Sequence, residues 1–326
     1  MVGRRNSGSE DSSVAKKIAV IGAGVSGLTS AILLAEHGYC AAIFAEETGN
    51  RTTSAAAGAI WFPYDAGPSA HAIGWALETY RVLQDLARDP RSGVSMIEQR
   101  VYSRGGEIEI PDWAEPLGAR WLDAPAEIPA AFTSGFTINV PLMDTTIYLD
   151  YLARRFAAAG GETNANVRFE KLEDVAREFD LVINCAGIGA RTLVPDPDLE
   201  PHRGQVALVP KMDIEYAIVC DDPPLMYAIP RTNDCVFGGT NDLNDDRAVD
   251  PESTARIVGE CSRVLDIPKP DVLAESVGIR PFRRSGIRVE RAEMRDGRAV
   301  IHNYGHGGAG FTLSWGCARE VLRLAA

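Results

Sequence analysis

The sequence predicts two interleaved architectures: an α/β unit built on a parallel sheet, and an α+β unit whose antiparallel sheet is discontinuous along the chain. Three observations predict it. A strand, a glycine turn and a helix follow one another from Lys16 to Gly38. The same style returns at Asp180–Gly187, where an apolar strand opens into a glycine-rich turn. Between and after them, over Val94–Ile138 and Pro201–Arg288, short strands alternate with proline-rich turns.

The opening unit is the most informative. Ile18, Ala19, Val20 and Ile21 form a short apolar run suited to a buried parallel strand. It stops at Gly22-Ala-Gly24-Val25-Ser26-Gly27, where Gly22 permits the tight turn and Gly24 lets backbone N–H groups approach a pyrophosphate. Gly27 removes the Cβ that would hold the helix off the strand. That helix carries Val25, Leu28, Ala31, Ile32 and Ala35 on one face and closes at Gly38. Its N-terminus favours anions. Cys40–Ala45 reads as the second strand and ends in Glu46-Glu47, where a carboxylate accepts from an adenosine ribose and repels a 2′-phosphate. A tight turn without a ligand is the plainer alternative; strand, three glycines, helix and acid in order disfavour it. The unit is Rossmann-like.

The chain has 326 residues, 45% of them apolar, enough for two domains. A formal charge of −12 makes nucleic acid or an anionic membrane poor partners. No apolar run is long enough to span a bilayer, and no cleavable signal is visible. Residues 1–15 are polar and Gly/Ser-rich and are expected to be a disordered tail. Cys40, Cys185, Cys220, Cys235, Cys261 and Cys317 lack metal-ligand spacing, as do the five histidines. A metal-free protein of the reducing cytoplasm is expected, with a Cys220–Cys235 bridge as a lesser alternative.

The nucleotide-binding unit is assigned to 16–70, 140–200 and 290–326, and the substrate-binding unit to 71–139 and 201–289. Helices are expected over His71–Arg88, Asp144–Gly160, Arg256–Leu265 and Thr312–Leu324, with a strand at Val167–Glu170. Only one dinucleotide fingerprint appears. Flavoenzymes that exchange hydride with a nicotinamide usually carry two, so a single tightly held FAD with a non-nucleotide electron acceptor is the expectation.

Two late segments carry candidate chemistry. Arg288 stands between Ile287 and Val289 in period-2 alternation, so it projects opposite its apolar neighbours. It is either a planar fork for a carboxylate or one of several solvated arginines on an edge strand. Gly305, Gly307, Gly308 and Gly310 precede a helix near Thr312, a second glycine-lined helix opening suited to a flavin carbonyl that becomes anionic on reduction. Thr312 suits either a cap or a flavin donor. His302 and His306 are read as structural, as is Tyr304.

VIGAGVSGL, TTSAAAGAIWFPY, VINCAGIGAR, PHRGQ, MYAIP, VGIRPFR with IRVER, and VIHNYGHGGAGFTLSWGCA run in order from Val20 to Ala318. In these stretches the chain closely resembles the D-amino-acid oxidase family, which includes D-aspartate oxidases. The resemblance implies a glutathione-reductase-like FAD domain. It also implies oxidation of D-amino acids by hydride transfer from the α-carbon to flavin N5, giving imino acids and, with O2, hydrogen peroxide. By position, Arg288 matches the arginine that clamps the substrate carboxylate, Tyr227 the tyrosine that shares it, and Gly307 the glycine whose carbonyl accepts from the amine. Gly310, Phe311 and Thr312 match the flavin pyrimidine edge; Gly22, Gly24, Gly27 and Glu46 match the pyrophosphate and ribose contacts. Thr53, Ser54, Ala57 and Gly58 lie where the family wraps the flavin, and Val167 near the adenine. Val25, Ser26, Gly187 and Gly308, inside the matching stretches, complete the cofactor set.

Two departures bear on substrate choice. Pro223 occupies the place of a second tyrosine that long-lidded members carry, implying a short lid. Asn241 follows Gly238-Gly239-Thr240 where acid-specific members have arginine, favouring neutral side chains, with Arg231 as a nearby cation that weakens the inference. The alternatives are a glycine-, sarcosine- or secondary-metabolite-type amine oxidase on the same scaffold, a non-catalytic flavin-binding protein and, third, a nicotinamide dehydrogenase. The partners expected are a D-amino acid and O2, with a homodimer as one open assembly state.

Overall fold

The computed structural model describes residues 16–63 and 69–326. The expected disordered tail at 1–15 and Tyr64 of the flavin-wrapping loop lie outside the described residues.

Strand β1 (Lys17–Ile21) turns at Gly22 into helix α1 (Val25–Glu36), and β2 (Cys40–Ala45) follows. Gly38 closes α1 with φ +86°, a conformation that glycine takes without strain. Helix α2 (Ala72–Leu86) leads to β3 (Val94–Ser103), β4 (Arg120–Trp121) and β5 (Ser134–Met143). Asp144 then caps α3 (Thr145–Ala158), its carboxylate accepting from the Thr146 N–H. Strands β6 (Glu162–Ala165) and β7 (Leu181–Asn184) precede a short α4 (Ala190–Leu193). The second sheet resumes with β8 (Leu199–Pro210), β9 (Tyr216–Cys220), β10 (Met226–Pro230), β11 (Asp234–Gly238) and β12 (Asp242–Leu243). Asp250 caps α5 (Pro251–Leu265) by accepting from the Glu252 and Ser253 N–H groups. The chain finishes with β13 (Ala274–Arg283), β14 (Arg288–Glu293), β15 (Ala299–Tyr304) and α6 (Gly310–Ala325).

Among the described residues, one sheet has the order β14-β15-β7-β1-β2-β6; its pairings are parallel except that of β14 with β15. Alternation along β1 explains how both faces are covered. Ile18 and Val20 join the core formed with α1, α3 and α6, whereas Ala19 and Ile21 pack with Leu172, Val175 and Phe179 on the other face. The other sheet runs β12-β8-β11-β10-β9-β3-β5-β4, with β13 on the second edge of β8, and is antiparallel except between β3 and β9.

Three expectations change. The strand anticipated at Val167–Glu170 is instead β6, which pairs with β2 as far as Ala165; residues 167–170 form no strand and line up past its end. Helix α2, assigned to the substrate-binding unit, packs on α6 of the nucleotide-binding sheet, with Gly316 N–H donating to Thr79 Oγ1 at 2.9 Å and a Gly316 Cβ position only 2.3 Å from the Trp75 carbonyl oxygen. The boundary at residue 290 moves forward, because β14 joins the parallel sheet from Arg288. No helix among the described residues is long and apolar enough to cross a membrane.

Candidate active site

A cavity of about 640 Å³ lies between the carboxyl ends of β1, β2 and β7 and the face of the antiparallel sheet. Open parallel sheets bind ligands at this end of their strands.

Its first part is the glycine turn. Gly22 has φ +107°, and a Cβ there would stand 2.4 Å from the Cys185 carbonyl oxygen. A Cβ on Gly27 would stand 1.9 Å from the Gly22 carbonyl oxygen, so this glycine, which does not line the cavity, lets α1 start directly against the turn. Gly24, Val25 and Ser26 do line it. The α1 N-terminus has no side-chain cap and no acidic residue in its first turn; Val25 N–H donates to Ser54 Oγ at 3.0 Å. Thr53, Ser54, Ala57 and Gly58 form the opposing wall. Glu46, Glu47, Val167 and Arg168 line the end beyond β2. Arg168 reaches Glu46 at 3.3 Å, and Arg247 reaches Glu47 at 3.0 Å.

The second helix opening is α6. Gly187, Gly307, Gly308, Gly310 and Phe311 line the cavity, and α6 likewise begins without a side-chain cap or a first-turn acid. Two uncapped N-termini therefore face one elongated space, and the orphan N–H groups of each suit the anionic groups of a flavin dinucleotide. The residues present fit FAD. Thr312 departs from expectation: it neither caps α6 nor lines the cavity. Its hydroxyl accepts from Phe62 N–H at 3.1 Å and donates to the Phe62 carbonyl at 2.8 Å, pinning that aromatic residue into the wall.

The third part is the antiparallel sheet, where side chains of alternating positions share a face. Gly204 and Val206 of β8, Val219 of β9, Tyr227 and Ile229 of β10, and Gly278 and Arg280 of β13 all turn to the cavity. Small residues make room for large ones. A Cβ at Gly238, paired with Tyr227, would meet Tyr227 Cζ at 1.9 Å; one at Gly204 would meet Arg280 Cζ at 2.4 Å. Arg280 Nη1 donates to the Thr240 carbonyl at 2.9 Å and to Asn241 Oδ1 at 3.3 Å, and the guanidinium also neighbours the Tyr227 phenol. Burial pushes the Tyr227 phenol above its ordinary pKa, against the opposing pull of the Arg280 charge.

Arg288 is not at this site. It lies on β14, in the other sheet, and does not line the cavity. Its Nε donates to Glu290 at 2.7 Å and its Nη1 to the Tyr304 hydroxyl at 2.7 Å, so the fork is used inside the nucleotide-binding unit. Tyr304 in turn donates to Asp196, as a structural residue does. Arg280 is the arginine that sequence reasoning passed over. Its signal was the one used for Arg288, alternation between two apolar neighbours, here Ile279 and Pro281.

Other groups fall into place around the site. Arg231 is buried and bidentate to Asp234, both contacts at 2.7 Å, so its charge is spent away from the cavity. The connection from β9 to β10, where Pro223 lies, is only the five residues Asp221–Leu225. His302 and His306 are buried, and loss of hydration holds each down to about 4, neutral at pH 7. His306 nevertheless lines the cavity, with Nε2 3.1 Å from Asn303 Oδ1. The cysteines are free, and Cys220 and Cys235 sit on strands separated by β10.

A family model described as FAD dependent oxidoreductase matches residues 17–324. A D-amino-acid oxidase of Streptomyces coelicolor is 39% identical over 317 residues, covering 95% of this chain and 96% of that protein. A D-amino-acid oxidase of Rubrobacter xylanophilus is 36% identical over 316 residues, covering 96% of each. Among solved structures, a glycine oxidase from Geobacillus kaustophilus superposes with a TM-score of 0.79 at 18% identity, covering 95% of both chains, a likeness of fold.

Proposed function

The chain belongs to the FAD dependent oxidoreductase family, and on that premise we propose that it is a D-amino-acid oxidase whose substrate carboxylate is received by Arg280 and Tyr227. The observation that carries this reading is the Arg280 guanidinium: it lines the cavity beside the Tyr227 phenol, and its hydrogen bonds to the Thr240 carbonyl and Asn241 both run from Nη1. The Nε and Nη2 side of that planar fork suits a carboxylate shared with Tyr227. Tyr227, its phenol kept protonated by burial, donates a further hydrogen bond. The Gly307 carbonyl accepts from the amine at the opposite side.

FAD held at these two helix openings would supply the two-electron acceptor for the α-hydride, with O2 as the final acceptor and an imino acid and hydrogen peroxide as products. The chain itself supplies alignment. Fixing both ends of the amino acid turns an encounter into a positioned reaction, an advantage of about 7–11 kcal/mol for well-oriented groups. The uncapped α1 and α6 openings offer N–H groups to the pyrophosphate and to the flavin edge. His306 is neutral and engaged by Asn303, so the amine is best presented already deprotonated.

Neutral side chains are preferred in this reading. Among the described residues the arginines of the cavity are Arg168, Arg247 and Arg280; the first two pair with glutamates beyond β2, and the third holds the α-carboxylate. Among the described residues no further lysine or arginine lines the cavity for a second carboxylate, and Asp221 lines it as well. Residence in the cytoplasm and a homodimeric state belong to the same proposal, suited to a chain of free thiols and open to light scattering. The main test is the absorbance of the purified protein under anaerobic D-alanine, followed by peroxide release from D-alanine, D-methionine, D-proline, D-aspartate and glycine. Bleaching with D-alanine is expected. A flavin indifferent to every D-amino acid, or one reduced by glycine alone, overturns the proposal.

A further inference from the structure

We propose that Arg247 is a cofactor-retaining residue, borne on a braced strap from the antiparallel sheet that closes the adenosine end of the cavity by pairing with Glu47. The strap is the segment between β12 and α5. It leaves β12, crosses the mouth beyond β2 and re-enters the sheet domain at the Asp250 cap. Arg247 Nη1 donates to both Glu47 oxygens at 3.0 Å, across 200 residues of sequence and from one sheet domain to the other. Both residues line the cavity.

An exposed arginine–glutamate pair alone means little, because ordering two long side chains offsets most of the Coulomb gain. Here the backbone under Arg247 is held in place in advance. Arg203, 5% exposed, donates from Nε to the Asp246 carbonyl at 3.0 Å and from Nη2 to the Ala248 carbonyl at 2.6 Å, gripping the residues on either side of Arg247. Gln205, fully buried, donates to the Asp250 carbonyl at 2.8 Å and accepts from the Asp250 N–H at 3.0 Å. Arg203 also donates to Gln205 Oε1 at 2.6 Å, joining the two grips. The Asp246 side chain closes the turn on the Ala248 N–H at 2.8 Å. Two buried polar side chains are thus committed to the shape of one surface loop, and the residue at its apex is a cation aimed over the cavity.

Position gives the pair its role. Glu46 and Glu47 directly follow β2, the place where a Rossmann-like unit meets adenosine ribose. Arg168, the partner of Glu46, comes from the nucleotide-binding unit itself. Arg247 comes from the other unit, so its pairing ties the two domains together across the end of the ligand. Its Nε and Nη2 make no hydrogen bond among the described residues and remain available to a dinucleotide bearing two phosphate charges. Departure of the cofactor by this end requires the pair to open. With side chains 54% and 37% exposed, the pair is open to screening by salt.

The inference rests on FAD filling the cavity, and the experiment separates the two. FAD release from the diluted holoenzyme is followed by the rise in free-flavin fluorescence, for the wild type, Arg247→Met, Glu47→Gln and the double variant. Each single change is expected to speed release by about three- to five-fold at low salt, the size of a half-exposed pair. The double variant adds little, because one pair is being broken. Salt at about 0.5 M should accelerate release from the wild type and leave the variants almost unmoved. Melting temperatures of the apoproteins check folding, with Glu47→Gln as the variant least able to disturb it. Single variants that release FAD at the wild-type rate, or effects that multiply in the double variant, overturn the strap. A wild type that holds no FAD overturns the cofactor reading and the strap with it.

Discussion

Two arginines eight residues apart compete for the substrate carboxylate, and exchanging each for methionine separates them. Methionine keeps most of the length and apolar stem of arginine while removing the charge. At Arg280 the loss falls on a group aimed into the cavity. Truncating one partner of a desolvated, hydrogen-bonded charge pair costs about 2–5 kcal/mol. At about 1.4 kcal/mol per decade this lowers kcat/KM by about 30- to 4,000-fold. KM should carry much of it, because the carboxylate is bound in ground and transition states alike. FAD content should stay high, since the other contacts of Arg280 are to the Thr240 carbonyl and Asn241. At Arg288 the loss falls on Glu290 and Tyr304. Glu290 is largely exposed, so stability should fall by about 1 kcal/mol and kcat/KM for D-alanine should stay within about five-fold. The assay is peroxide release at several D-alanine concentrations, beside flavin absorbance and a thermal melt. A collapse of kcat/KM in Arg288→Met with near-normal kinetics in Arg280→Met would refute the placement.

Gly204→Ala puts a methyl 2.4 Å from Arg280 Cζ, so the guanidinium must swing; a KM raised by about ten-fold with FAD retained is the expected outcome, read from the same kinetics. Gly27→Ala places a methyl 1.9 Å from a backbone carbonyl that cannot move aside, and should cost about 3 kcal/mol or prevent flavin binding, read by thermal melting and the flavin-to-protein absorbance ratio. Acid should weaken the fold early. His302 and His306 are held to about 4, below the ordinary 6.5, so the unfolded chain binds more protons between these values and stability falls as pH drops from 6.5 to 4. Each contributes up to about 3 kcal/mol to that decline, and His302→Gln should flatten the slope of unfolding free energy against pH by about one proton.

Local patterns made the nucleotide half of this protein legible. The glycines at 22 and 27 are dictated within ten residues: one by a positive φ and one by contact with the preceding turn. Helix periodicity located α1, α3 and α6, and the α3 start expected at Asp144 is where the structure places that residue as the cap. Alternation could say only that an arginine projects from a strand, and it said so equally for Arg280 and Arg288. Which sheet a strand joins is set by pairings such as Gly278 with Gly204 and Arg288 with Tyr304, made between residues far apart or across a turn. The same holds for Thr312, whose hydroxyl is claimed by Phe62, 250 residues away. Sequence by itself therefore determined the cofactor cradle, because short-range sterics and helix ends specify it. Only the tertiary structure decided which guanidinium faces the cavity, because that depends on which sheet each strand enters and on the small residues lying opposite.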